Sequence, residues 1–174
     1  MFVQHILLKA NRLVRSALLA TLAGSLPAEV TTTDIEKVAV GYMQAFFRND
    51  LETSVQYLGP QILEPFKDAI VVRFDASEQR AQRELLSGTR YRTANDLKEA
   101  PAGEVFVRVV QWERSKTPGF LKKAKSANVI VEKCQLISED KYRVTLIVRV
   151  DQLPDERPTV LIGKVDTKWM VIGI

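Results

Sequence analysis

From Asp34 to about Arg48, Ile35, Val38, Ala39, Tyr42, Met43, Phe46 and Phe47 recur at i, i+3, i+4 and i+7. That spacing puts them on one helical face. Thr33 and Glu36 have the T-x-x-E arrangement of a capping box and predict the helix start. Asn49 and Asp50 break the pattern. Leu51, Val55 and Leu58 then mark a second, short helix that Gly59-Pro60 stops. Residues 61–74 are ambiguous, because Ala69-Ile70-Val71-Val72 suits a helix end or a small strand. Asp75 and Glu78 can cap a third helix from Ala76 to about Ser87, with Leu85 and Leu86 inward and Gly88 as terminator. The mostly polar stretch from Thr89 to Gly103 reads as a loop with room for one short element.

From Glu104 the period changes to two. Val105, Val107 and Val109 alternate with Glu104, Phe106 and Arg108, which predicts a first strand. Residues 128–137 give a second, and Ser138 to Lys141 a polar turn. Tyr142, Val144, Leu146, Val148 and Val150 then alternate without a break in a third. Val160 to Val165 and Lys168 to Ile174 follow, joined at Asp166-Thr167. Helices first and an antiparallel meander afterwards define an α+β fold, not a doubly wound one. No repeat or linker divides residues 29–174, which read as one domain.

Composition narrows the chemistry. With one cysteine and one histidine among 174 residues, the chain has neither an internal disulfide nor a Cys/His zinc cluster. The 25 Lys and Arg exceed the 21 Asp and Glu. Three of those cations, Lys9, Arg12 and Arg15, lie in residues 1–28, which contain no acid, so the remainder carries 22 against 21. So small a surplus in the folded part argues against a nucleic-acid partner.

Residues 1–28 run from a basic stretch ending at Arg15, through an apolar run at Ala17–Leu22, to small residues at Ala23, Gly24, Ser25 and Ala28. That order is the layout of a secretory signal and predicts export to a periplasm or cell envelope. A basic, acid-free segment also suits a mitochondrial presequence or a retained tether. No apolar run reaches the ~18–20 residues of a membrane-spanning helix. Cleavage would remove His5 and leave a mature protein with no histidine.

An amphipathic first helix with internal aromatics, two further helices and a meander ending in VDTKWMVIGI resembles the nuclear transport factor 2-like (NTF2-like) superfamily over residues 34–174. The resemblance implies a cone: two or three helices packed on a curved antiparallel sheet that encloses an apolar pocket. It also implies a role among small isomerases and dehydratases, assembly adaptors or exported proteins. Tyr42, Phe46 and Trp112 are the residues expected at such a pocket, which would take a small apolar ligand.

Catalytic members of that superfamily place a His–Asp or Tyr–Asp pair inside the cone. Here His5 lies outside the resemblance, so no His–Asp pair is available. Tyr42, Tyr57 and Tyr91 leave a tyrosine–carboxylate version open, which would make the protein a small isomerase or dehydratase. Tyr42 reads first as a core aromatic. Cys134, in phase with Ile130 and Leu136, reads as a buried small hydrophobe without a base to activate it. No metal-ligand spacing, phosphate loop or cofactor motif is present.

Between the first two long strands the pattern places a basic loop, Arg114, Lys116, Lys122, Lys123 and Lys125, with Phe120-Leu121 at its tip and no acid. Such a loop suits an anionic membrane surface or an acidic protein, and equally a solvated hairpin. The sequence thus predicts a non-enzymatic binding or assembly module. Its partner is a protein or a second copy on the sheet face. The alternatives are the enzyme and a mitochondrial complex subunit.

Overall fold

A computed structural model describes residues 32–119, 124–151 and 153–174. The segment 1–28 lies outside them, as do Phe120, Lys122 and Lys123. The helices are α1 (Thr32–Phe47), α2 (Leu51–Val55), α3 (Pro60–Asp75), α4 (Gln79–Thr89), α5 (Ala94–Glu99) and α6 (Ala102–Ser115). The strands are β1 (Asn128–Ser138), β2 (Lys141–Arg149), β3 (Thr159–Val165) and β4 (Lys168–Gly173). The α+β class holds, with a helical part larger than the pattern predicts.

The largest correction falls on residues 104–110, which are the middle of α6 rather than a first strand. Val105, Phe106, Val109 and Val110 are buried there, while Val107 and Arg108 are only half-buried. The apparent alternation arises because α6 lies between two cores. Its β-branched residues pack well enough on both sides to override their weak helix propensity. The basic segment after it therefore joins a helix to a strand, not two strands.

Helix ends differ from expectation for local reasons. Thr33 lies inside α1, so it does not cap it. Asp50 caps α2 through Oδ1, which accepts from the Thr53 N–H at 3.2 Å. Gly59-Pro60 opens α3 as well as closing α2, with extended Gly59 at the cap and Pro60 in the first turn, where a missing N–H costs nothing. Gly88 is inside α4, and Arg90 in the left-handed region (φ 61°) ends that helix. The predicted loop at 89–103 contains α5, held by a Thr93/Asp96 capping box.

The sheet is antiparallel in the order β1-β2-β3-β4. Val129 and Val131 pair with Val148 and Leu146, and Tyr142 pairs with Ile162, which pairs with Val171. Val144, Leu146, Val148, Val160, Ile162 and Val171 are fully buried against α1 and α6. At the far side β4 is covered by the chain after α2: Gly59 N–H donates to Val171 O, and Val171 N–H to Tyr57 O, both at 2.8 Å.

A bulge at Glu132 shifts the register of β1 between Val131 and Lys133 and reverses its phase. Cys134 consequently pairs with Val144 on the core side, whereas Ile130 pairs with Ile147 on the other face. Cys134 is half-buried rather than buried; Leu136 keeps phase with it by pairing with Tyr142 but is exposed, as is Ile130 on the other face. Partial burial, and then the Glu36 carboxylate, push its thiol up.

A second apolar core joins Ile70 and Phe74 of α3, Leu85 of α4, Tyr91, Leu97 of α5, and Val105 and Val109 of α6. Phe106 and Val110 point instead into the sheet core, where Phe106 meets Phe66 edge-on at 5.2 Å. One helix thus joins the two cores.

Candidate binding groove

Of the expected pocket residues, Tyr42 and Phe46 meet, and Trp112 lies with a different core. Tyr42 is fully buried in the sheet core; burial pushes its phenol far up, and Arg114 opposes that. Phe46, half-buried, lies against Tyr42 with ring centroids 5.8 Å apart. Trp112 packs instead against the second core, where α4 passes α6. Tyr42, Phe106, Leu58, Leu146 and Ile162 are all fully buried in one cluster, so among the described residues the core on the helix side of the sheet is packed with the protein's own side chains.

The basic segment also divides. Arg114 is 4% exposed. Its NH1 donates to Phe46 O at 2.6 Å and to Asn49 Oδ1 at 3.0 Å, and its Cζ stands 4.1 Å from the Phe46 ring centroid. That makes it an interior group at the end of α1, not a surface contact. Lys116 is exposed, pairs with Glu113 at 3.1 Å and places Nζ 3.4 Å from the Trp112 ring centroid. Lys125 is exposed.

An open groove of about 490 Å³ runs between the end of α4 and the outer face of α6, past Gly88, Thr89, Arg90, Glu104, Arg108 and Trp112. A second of about 410 Å³ continues it towards α5, past Tyr91, Arg92, Asp96 and Glu99, and shares Arg90, Glu104 and Arg108. Both volumes suit a small ligand or a peptide end. Helical spacing makes the floor, since Glu104, Arg108 and Trp112 succeed one another at i+4 along α6.

The Arg108 side chain is held at three points. Nε contacts Glu104 Oε1 at 2.9 Å, and NH1 donates to the carbonyls of Thr89 (3.3 Å) and Arg90 (3.1 Å). Those carbonyls end α4, where the helix dipole favours a cation. The Asp96 carboxylate is engaged by the backbone N–H groups of Arg92 and Thr93, each at 3.1 Å. Among the described residues no group of three metal-ligating side chains occurs, and no helix is long and apolar enough to cross a membrane.

Gly88 sets the width of the groove. A Cβ there would lie 2.0–2.4 Å from Nε1, Cδ1 and Cε2 of Trp112, so the indole rests on bare backbone. Gly88→Ala should gain about 0.5–1 kcal/mol in helix propensity and lose about 1–3 kcal/mol to overpacking against a rigid ring. We expect a net loss in urea unfolding, accompanied by a changed near-UV circular dichroism of Trp112.

Sequence reasoning missed Arg90, Glu104 and Arg108, and weighed Tyr91 only as a possible pocket tyrosine. The available signal was the i, i+4 Glu104–Arg108 pair, which has meaning only on a helix. A segment read as a strand puts the two on one face but not in contact.

No protein-family model matches the chain, and no curated protein matches it. A solved structure that it resembles is a Campylobacter jejuni protein named as an NTF2-like transpeptidase, at 12% identity and a TM-score of 0.41, covering 79% of this chain and 96% of that one. A likeness of that size says nothing of activity.

Proposed function

We propose that the protein is a non-enzymatic binding or assembly module of NTF2-like architecture, exported to a periplasm or cell envelope, that acts from its outer surface. The observation that carries this reading is the filled interior, where Tyr42, Phe106, Leu146 and Ile162 occupy the space an internal ligand would need. Among the described residues the buried polar and charged groups are Ser54, Thr89 and Arg114. The charged neighbour of the Tyr42 phenol is a cation, so of the candidate tyrosines Tyr42 is unsuited to a tyrosine–carboxylate pair, whereas Tyr91 has the Glu104 carboxylate as neighbour on the outer surface.

Two exterior surfaces are available to a partner. One is the α4–α6 groove. The other is the outer face of the sheet, with exposed Ile130 paired to half-buried Ile147, and half-buried Leu161 further along, opposite Arg143. Residues 1–28 supply the address.

The test is a fragment screen followed by two-dimensional NMR on the mature protein. Ligands should move resonances of the groove or the outer sheet face and leave Tyr42 and Leu146 in place. Fragments that shift Tyr42 and Leu146 would overturn the surface-acting reading. N-terminal sequencing of the native protein should begin near residues 24–29, and an intact Met1 would remove the export step.

A further inference from the structure

Tyr91 is 6% exposed, and its hydroxyl is a buried polar atom with no hydrogen-bond partner among the described residues. An unpaired buried hydroxyl is costly and calls for a physical account. Its surroundings supply one. The Arg108 Cζ lies 4.6 Å from the Tyr91 ring centroid. Burial, the Glu104 charge and the approach of the Glu104 side chain push the phenol up to about 12, with Arg108 opposing. That approach falls short of hydrogen-bond geometry: Oε1 is engaged by Arg108 Nε, and no described group meets the phenol oxygen.

Both members of the Glu104–Arg108 pair are more than a third exposed, so their attraction is screened and weak. The NH1 bonds to Thr89 O and Arg90 O keep the guanidinium in place whether or not Glu104 stays. Its Nε edge is thus a fixed donor already facing a carboxylate, and Glu104 occupies the position a ligand would take. Charge balance restricts that ligand. Arg90, Arg92 and Arg108 face Glu52, Asp96, Glu99 and Glu104 along the two grooves, a set with no cationic surplus that gives a polyanion no advantage.

We propose that the α4–α6 groove is a binding site for a single carboxylate, in which Arg108 takes the ligand in place of Glu104 and Glu104 turns to accept the Tyr91 hydroxyl. This rests on the surface-acting reading and gives it a ligand class. The carboxylate belongs to a small organic acid or to a peptide C-terminus, which share this chemistry.

The experiment is an NMR titration of the full-length domain. It follows the Arg108 Nε–Hε resonance with benzoate, with an acetylated tripeptide bearing a free C-terminal carboxylate, and with the corresponding peptide amide. A saturable shift is expected with benzoate or the free peptide and none with the amide; the tighter of the two names the source. Arg108→Gln should abolish the shift.

Glu104→Ala, which removes the internal competitor, should tighten binding up to about fivefold. Tyr91→Phe should weaken it about three- to tenfold while Glu104 is present and leave it unchanged in the Glu104→Ala background. Circular dichroism establishes that each variant is folded. Absence of any saturable shift, weaker binding in Glu104→Ala, or tighter binding of inorganic phosphate than of either carboxylate would overturn the assignment. The surface-acting reading is decided separately, by whether ligands move Tyr42 and Leu146.

Discussion

Replacing Phe106 by alanine should destabilise the protein by about 3–5 kcal/mol, the range for deleting a fully buried phenylalanine ring. For a chain of this size that is roughly 8–20 °C in Tm. Phe106 is fully buried, meets Phe66 edge-on and sits where α6 touches the sheet core. The adjacent Val107 is half-buried on the groove side, so Val107→Ala should cost below about 1 kcal/mol. The pair separates two readings of one segment. In a strand with Val105, Val107 and Val109 inward, Val107 would carry the larger penalty and Phe106 the smaller. Equilibrium unfolding of the two variants in urea gives the order directly, and a larger loss at Val107 would refute the helical assignment of α6.

That reversal explains how much of the fold was legible. The faces of α1 and β2 each meet one core, so Ile35, Ala39, Tyr42 and Met43, or Val144, Leu146 and Val148, show a clean period. α6 meets two cores, and its buried residues at 105, 106, 109 and 110 lie among further valines that blur the helical spacing. β1 carries a bulge at Glu132, invisible to any fixed period, which moved Cys134 to the opposite face from Ile130. The groove followed the fate of α6. Glu104, Arg108 and Trp112 form a surface only when the segment is helical, and Tyr91 joins them from a stretch whose composition reads as loop. The interior was easier: Tyr42 on an unbroken apolar face reads as core, and it is core.

Replacing Arg114 is the second large effect we expect, and lysine should be nearly as damaging as alanine. Among the described residues Arg114 is a buried cation with no carboxylate partner. Burial brings its guanidinium down to about 10, a sign that the surroundings do not fully compensate the loss of water. What holds it is geometric. NH1 reaches Phe46 O in the last turn of α1 and Asn49 Oδ1 just beyond, while Cζ stands over the Phe46 ring. Phe46 O already accepts from the Asn49 N–H at 3.2 Å, so losing Arg114 does not leave that carbonyl bare. The loss is of charge-assisted bonds, worth about 1.5–3 kcal/mol, and of a desolvated cation–π contact, about 2 kcal/mol. Relief of the buried charge offsets part of it. Arg114→Ala should therefore cost about 2–4 kcal/mol, read as a Tm lower by roughly 5–15 °C. Lysine keeps the charge and the favourable end of the helix dipole. Its ammonium could meet the two acceptors that NH1 alone now serves, but only by drawing the charge off the Phe46 ring that the guanidinium carbon covers at the same time. If charge alone held this corner, Arg114→Lys would retain the wild-type Tm, and thermal unfolding of the two variants side by side decides between charge and the planar fork.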